Sequence, residues 1–417
     1  MNPSMSINNL SFLQNSAVFL FFALCLSLPG GYSVGALVAV LAALCAIPTW
    51  RKKKIDADTK WFLFFFLAVG LLWSHSFDGW WTWSSNNDAG LRYGLGALCV
   101  VASSAIFVNT KFLRWGLIVG ALGAAVLAIF QHQTVGRAEG FTNAIRFGDI
   151  ALSIAFACAC FATLRNQPNW ERSLLVVGAM AACLASLLSL SRGGWLVLAV
   201  FPMLWILFVE KMQTRIKLGC GLMVGVALMC WLAFQVPTIE ERVQTASKEV
   251  QHYLDNSGGQ AQTSVGARLE HWRLSWRLGL DKPLTGWGDK GVKEGKRAYV
   301  ERGDTHPDML EMAHSHNEFL EMWSRRGALG VLMLLGIYAV PAFIFYPTPR
   351  RLTKVALPDK QHYLALRIVG LSVPVCYVVY GLTETFFDLS IGHMFYIFSM
   401  VFFFSAMKSL EMKVKNA

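Results

Sequence analysis

Charge is scarce in this sequence. Only 15% of its 417 residues are Asp, Glu, Lys or Arg, where soluble domains run near a quarter. A water-soluble fold cannot cover its exterior with so little, and a mean hydropathy of +0.45 points the same way. No Lys or Arg precedes Arg51, so the basic n-region of a secretory leader is missing and the first apolar run reads as a retained helix. The nine cysteines all fall inside apolar runs and none in the long polar segment, which excludes a disulfide framework or a cysteine zinc site. Internal repeats and low-complexity stretches are absent. The net charge of +11 comes with no basic patch on a soluble fold, so nucleic acid is excluded as a partner.

What is present is one apolar run after another, each near the roughly 20 residues a bilayer requires. Twelve spans are expected, at about 15–30, 33–50, 60–75, 93–109, 115–132, 147–165, 172–190, 194–210, 217–236, 327–346, 363–386 and 388–407. The fold class is therefore an all-α polytopic membrane protein. Three parts are expected: residues 1–236 with spans one to nine, a loop domain at 237–327, and residues 328–417 with the last three spans and a short tail.

Orientation follows from Lys and Arg. One set of short connections and tails carries 19 of them, among them "RKKK" at 51–54 and "RR" at 350–351; the other set carries only Arg92, Arg137, Arg146 and Arg192. The rich side is cytoplasmic, with both termini inside, and the excess also suits membrane lipid headgroups. The long loop then lies outside, nearly neutral with 13 basic and 14 acidic residues. It places Ile239, Val243, Ala246, Val250 and Leu254 on one helical stripe, and Leu269, Trp272, Trp276 and Leu280 on a second. Helices lying on the membrane surface are expected there.

Four polar clusters reach the outer face. "GRAEGFTNAIRFGD" brings Arg137, Glu139, Asn143 and Arg146, and "LSRGGW" brings Arg192. The loop helix brings Arg268, Arg273 and Arg277, and "HSHNEFLEMWSRRGALG" brings His314, His316 and Asn317. Outer arginines oppose the positive-inside bias. Guanidinium groups fit phosphate, and three or four converging at the outer leaflet suit a lipid-linked pyrophosphate. Plainer readings stand beside this one. Arg192 at a helix end complements the dipole, and Arg273 and Arg277 suit surface contacts. Glu384 near the outer end of span eleven is either a functional intramembrane carboxylate, next in line as a base with Glu139 should His316 not serve, or a wetted helix end. His316 suits a general base or proton relay, an interfacial histidine, or one ligand of a metal set with Asp304, His306, Asp308 and His314. A helix starting this early would send His314 and His316 to different sides. Gly327 and Gly330 are expected to let neighbouring helices approach closely.

The pattern resembles a known family. His316-Asn317 followed after nine residues by Gly327 and then Gly330 is similar to the histidine motif of bacterial O-antigen ligases. "SRGG", and "GARLEHWRLSW" followed by "KPLTGWG", resemble the arginine, tryptophan and Gly-x-Gly motifs of the ligase and polymerase superfamily. The resemblance implies a membrane-embedded glycosyltransferase of the GT-C type in the bacterial inner membrane. It implies transfer of O-antigen from undecaprenyl pyrophosphate (the donor) to a sugar hydroxyl of lipid A-core (the acceptor) at the periplasmic face, with inversion and with neither metal nor cofactor. Matching positions make Arg192, Arg268 and His316 catalytic; Arg137, Asn143, Arg146, His314 and Asn317 are the expected substrate contacts. An O-antigen or exopolysaccharide polymerase and a protein O-oligosaccharyltransferase share the fold and the donor. A transporter needs polar groups at mid-membrane in several spans, and Arg367 alone comes near that.

Overall fold

The computed structural model describes residues 6–76, 82–83, 88–165, 167–191, 193–208 and 264–416, with isolated positions 213, 217, 221, 244, 248 and 251. The ninth expected span, the loop's first stripe and Arg192 lie outside the described residues.

The described chain is helical apart from a two-residue antiparallel bridge between His75–Ser76 (β1) and Thr82–Trp83 (β2). The principal helices are α1 (Ile7–Leu24), α2 (Gly31–Cys45), α3 (Ala57–Ser74), α4 (Ala89–Ala102), α5 (Thr110–Val135), α6 (Ala144–Ala162), α7 (Asn169–Leu188) and α8 (Val197–Trp205). Then come α9 (Ser264–Asp281), α10 (Gly288–Glu301), α11 (Glu318–Phe345), α12 (Lys360–Tyr380) and α13 (Ser390–Asn416). Among the described residues six helices are long and apolar enough to cross a membrane: α5, α6, α7, α11, α12 with the turn before it, and α13. α2, α4 and the segment Gly193–Phe208 are apolar but shorter. Large apolar side chains such as Leu37, Phe64, Val126, Phe130, Met180 and Leu332 stand exposed on helix faces. Water does not tolerate such a belt, and a bilayer requires it. The chain is a multi-pass membrane protein.

α13 and α6 form the centre of the bundle, buried along nearly their whole lengths. α1 packs on α2 and α5, α7 lies between α5 and α6, and α12 runs between α11 and α13. The end of the bundle rich in Lys and Arg is tied by ion pairs: buried Arg114 with Glu171 at 2.7 Å, and buried Lys408 with Glu411 and the half-exposed Asp56, both at 2.9 Å.

The loop helices α9 and α10 enclose a small core of their own, Leu274, Leu278, Val292, Tyr299 and Met309. The expected stripe lies on a different face from this core. The buried face of α9 is Glu270, His271, Leu274, Ser275 and Leu278, while Trp276 and Leu280 stand exposed. Three of these five buried residues are polar, and the apolar Trp276 and Leu280 lie on the opposite, open face, where a helix lying on a membrane surface carries them. The tryptophans serve another contact: Trp276 stacks on Trp323 of α11 at 5.6 Å, and Trp272 Nε1 donates to the Ser315 carbonyl at 2.8 Å.

Two further expectations change. The last two spans are joined by nine residues, 381–389, and not by a single one. Phe386 and Phe387 are buried there, so hydropathy could not tell a packed turn from a helix end. Gly327 does not ease helix–helix contact. Its φ of 58° breaks α11 into two arms, and the space where a Cβ would sit is filled by the Leu284 backbone at 2.5 Å. The amide of Ala328 donates to the Pro283 carbonyl at 2.8 Å, so the loop's "KPLTGWG" turn plugs the break.

Candidate functional site

The segment 313–317 enters α11 without helical geometry. Asn317 is the N-cap, its Oδ1 accepting from the amides of Phe319 and Leu320 at 3.0 and 3.1 Å. Ser315 is buried; its amide donates to Glu321 at 2.8 Å. His316 adopts φ 51°, in the left-handed region. Such backbone strain costs about 1–3 kcal/mol and tends to gather at working sites. The left-handed residue, and not a helical turn, sends the two histidines to different partners.

His316 directs Nδ1 at Glu384 Oε2, 3.2 Å away. The other carboxylate oxygen, Oε1, receives Arg146 Nη2 at 3.2 Å, and the same nitrogen donates to the Thr385 carbonyl at 2.5 Å. Arg146 and Glu384 are both buried, whereas the His316 side chain keeps 35% exposure. Burial pushes the Glu384 carboxyl up, but the His316 hydrogen bond and the Arg146 charge outweigh it and hold the group below the usual carboxylate range.

The 381–389 turn is locked to the start of α11. Glu318 Oε2 accepts from the amides of Phe386 and Phe387 at 2.6 and 3.0 Å, and the Glu318 amide donates to the Gly381 carbonyl at 2.7 Å. His314 takes a parallel arrangement, Nε2 2.9 Å from Asp388 and Nδ1 3.7 Å from Glu321. Burial pulls the His314 imidazole down; Asp388 and Glu321 outweigh it and push it up to about 9. Behind this loop Lys296 donates to the Met312 carbonyl at 2.6 Å and sits 2.8 Å from His271 Nε2. Burial and the Lys296 charge push His271 down to about 3, so its neutral ring accepts from the ammonium.

The other expected residues divide. Asn143 caps α6, accepting from the Arg146 amide at 2.8 Å, and Arg137 Nε donates to the Ser189 carbonyl at 2.9 Å. Asn317 Nδ2 reaches the Leu382 carbonyl at 3.3 Å. Arg268 is exposed with no hydrogen bond or ion pair among the described residues, one turn before Trp272, which touches Ser315. Arg192 lies outside the described residues. Ser191 is buried, a Cβ on Gly193 would lie 2.6 Å from the Thr383 hydroxyl, and one on Gly194 would overlap Asp149. The metal set is dispersed: His306 pairs with Asp308 at 3.3 Å, His314 with Asp388 and His316 with Glu384. Among the described residues no group of three His, Cys, Asp or Glu stands in a metal-holding arrangement.

The sequence marks Glu384 as a span-end carboxylate, either functional or merely wetted, and next in line after His316 as a base; it does not single out Asp388 or Glu318. Glu384 and Asp388 share only the acid spacing in "TETFFD", which reads as the margin of a span, and Glu318 directly follows His316-Asn317.

Comparison with known proteins adds to this geometry. Residues 175–335 match the family model described as O-Antigen ligase. A Haemophilus influenzae protein described as uncharacterized is 25% identical over 405 residues, 95% of this chain and 98% of the relative. An O-antigen ligase of Escherichia coli K12 is 20% identical over 225 residues, 52% of this chain and 51% of the relative, so that match spans about half of either protein. The resemblance read from the motifs is shown: the centre of this chain is similar to the O-antigen ligases, a family of ligase- or polymerase-type glycan transfer.

Proposed function

We propose that this protein is an inverting glycosyltransferase that moves a polysaccharide from undecaprenyl pyrophosphate to a sugar hydroxyl of lipid A-core, in the inner membrane with its site toward the periplasm. The observation that carries the reading is the Glu384–His316 pair with Arg146 behind it. Nδ1–H held by the carboxylate fixes the neutral tautomer and leaves Nε2 as base, on a ring that stays partly exposed. Nε2 takes the proton of the acceptor hydroxyl as the acceptor oxygen bonds to the anomeric carbon. The bond from that carbon to the pyrophosphate oxygen breaks, and the electron pair leaves on the pyrophosphate. One displacement inverts the centre.

Arg192 and Arg268, with Arg137, supply fixed positive charge to the leaving group. Arg146 was expected at the substrate; its Nη2, held by Glu384 and Thr385, supports a positioning role. Asn143 and Asn317, as caps, hold the segments bearing Arg146 and His316. His314, paired with Asp388, braces the loop. We carry the division at 237 and 327, the twelve spans with a ninth at 217–236, and the GT-C likeness into this reading.

Deleting the gene and running the lipopolysaccharide on a gel tests it. Unmodified core with accumulated lipid-linked polymer is the expected result; core bearing a single repeat would make the protein a polymerase.

A further inference from the structure

A polar cavity of about 460 Å³ opens at the same end of the bundle as His316, between α3, α4, α10, α11 and the start of α13. We infer that it binds the sugar residues of the acceptor glycan, an inference that rests on the glycan-transfer reading above. Its volume falls in the range of small-molecule sites, about 300–1,000 Å³. Its wall is shared with the reacting pair: Glu318, Glu321 and Asp388 line it, and the segments that carry them also carry His316 and Glu384. An acceptor seated here has its hydroxyls beside the segment bearing the proposed base, which a displacement requires.

The lining chemistry selects the ligand class. Four basic residues, Arg92, Lys290, Arg325 and Arg326, meet five acidic ones, Asp88, Asp289, Glu318, Glu321 and Asp388. Such a balance does not gather a bare anion, as a cluster of arginines would. It also refuses an apolar ligand, which would strip water from these groups without replacing its hydrogen bonds. A polyhydroxylated ring both donates and accepts at every hydroxyl and satisfies both signs. Donors and acceptors remain for it. Arg92 bonds Asp88 and Ser390 through Nη2 alone, at 2.5 and 2.7 Å, leaving Nε and Nη1. Glu318 binds the two Phe amides through Oε2, leaving Oε1. Asp289 braces the rim, 3.2 Å from Arg325 and 3.3 Å from Arg326. Trp73, buried beneath Arg326 at 5.3 Å, forms the cavity's floor.

The test uses the full-length protein in nanodiscs with lipid-linked donor and purified lipid A-core. Arg92→Ala and the exposed-rim variant Lys290→Glu are compared with wild type, the second chosen because it cannot disturb the core. The expected result is a rise in KM for lipid A-core of tenfold or more for Arg92→Ala, and a smaller rise for Lys290→Glu. KM for the donor should stay within twofold. A second readout omits the donor: quenching of intrinsic tryptophan fluorescence by deacylated core oligosaccharide should weaken in both variants. Unchanged acceptor KM and unchanged quenching in both variants would overturn the cavity assignment, as would a rise in donor KM instead. If wild type itself transfers nothing to lipid A-core, the glycan-transfer reading fails and this inference falls with it.

Discussion

His316 and Glu384, 68 positions apart in the chain, meet through Nδ1 and Oε2 at 3.2 Å, with Arg146 on the carboxylate's other oxygen. Asp388 holds His314 in a parallel pair four residues further on. The short turn between α12 and α13 thus supplies one carboxylate to each histidine. The two pairs differ in exposure of the carboxylate: Glu384 is buried, and Asp388 is partly open.

The His314–Asp388 pair gives a pH signature. His314 is raised from 6.5 to about 9, so the folded protein keeps a proton that the unfolded chain releases near 6.5. That contribution is complete below about 6.5 and is lost as pH rises through about 9. Asp388 is lowered below 3.8, despite burial that pushes it up, because of its bond to His314; its share is present above 3.8 and lost on acidification. Melting temperature in detergent, followed from pH 6 to about 10, should fall along the alkaline limb in wild type and less steeply in His314→Gln. Identical limbs would remove the pair from the stability of the loop.

The arginines are expected to separate by kinetics. Arg192→Lys should fail nearly as badly as Arg192→Ala, because an ammonium cannot reproduce a bidentate fork, and Arg268 should behave alike. Arg146→Ala should lower kcat with little change in donor KM, since its donors face Glu384 and Thr385. Arg273→Ala and Arg277→Ala should retain most transfer. Full activity in Arg192→Lys would reduce that residue to bulk charge or helix capping.

Gly327→Ala should unfold the junction between α11 and the loop. A side chain there meets both an unfavourable φ of 58° and the Leu284 backbone at 2.5 Å. The φ alone costs about 1–3 kcal/mol. Gel-filtration recovery and melting temperature should both drop, and wild-type recovery would show that the turn can move aside.

Much of the architecture was legible because bilayer helices must be long and apolar. Charge asymmetry gives them an expected orientation because loops are read one at a time. His316 and Asn317 were legible because a motif carries them. Glu384 was legible as a candidate carboxylate, but its pairing was not, since its partners lie 68 and 238 positions away. The buried face of α9 was not read because three of its five residues are polar, with Glu270 held by Arg273 and Thr305 and His271 Nε2 by Lys296. The break at Gly327 was missed because hydropathy records no backbone angle.

Topology can be checked independently. Reporter fusions after residues 260 and 355 should show periplasmic activity at the first and cytoplasmic activity at the second. The basis is the 19-to-4 asymmetry of Lys and Arg in the short connections. Periplasmic activity at 355 would reverse the whole orientation.

The measurement that bears most directly on the central claim sets donor binding beside glycan transfer for His316→Ala and Glu384→Gln. General-base catalysis contributes roughly 10²–10⁴-fold. Transfer by His316→Ala should fall by about that factor, and Glu384→Gln, which keeps an acceptor oxygen without the charge, should fall less. Donor binding should stay within a few-fold of wild type in both, and His314→Ala should be milder than His316→Ala. Full transfer by His316→Ala would contradict the account and remove the histidine as the base.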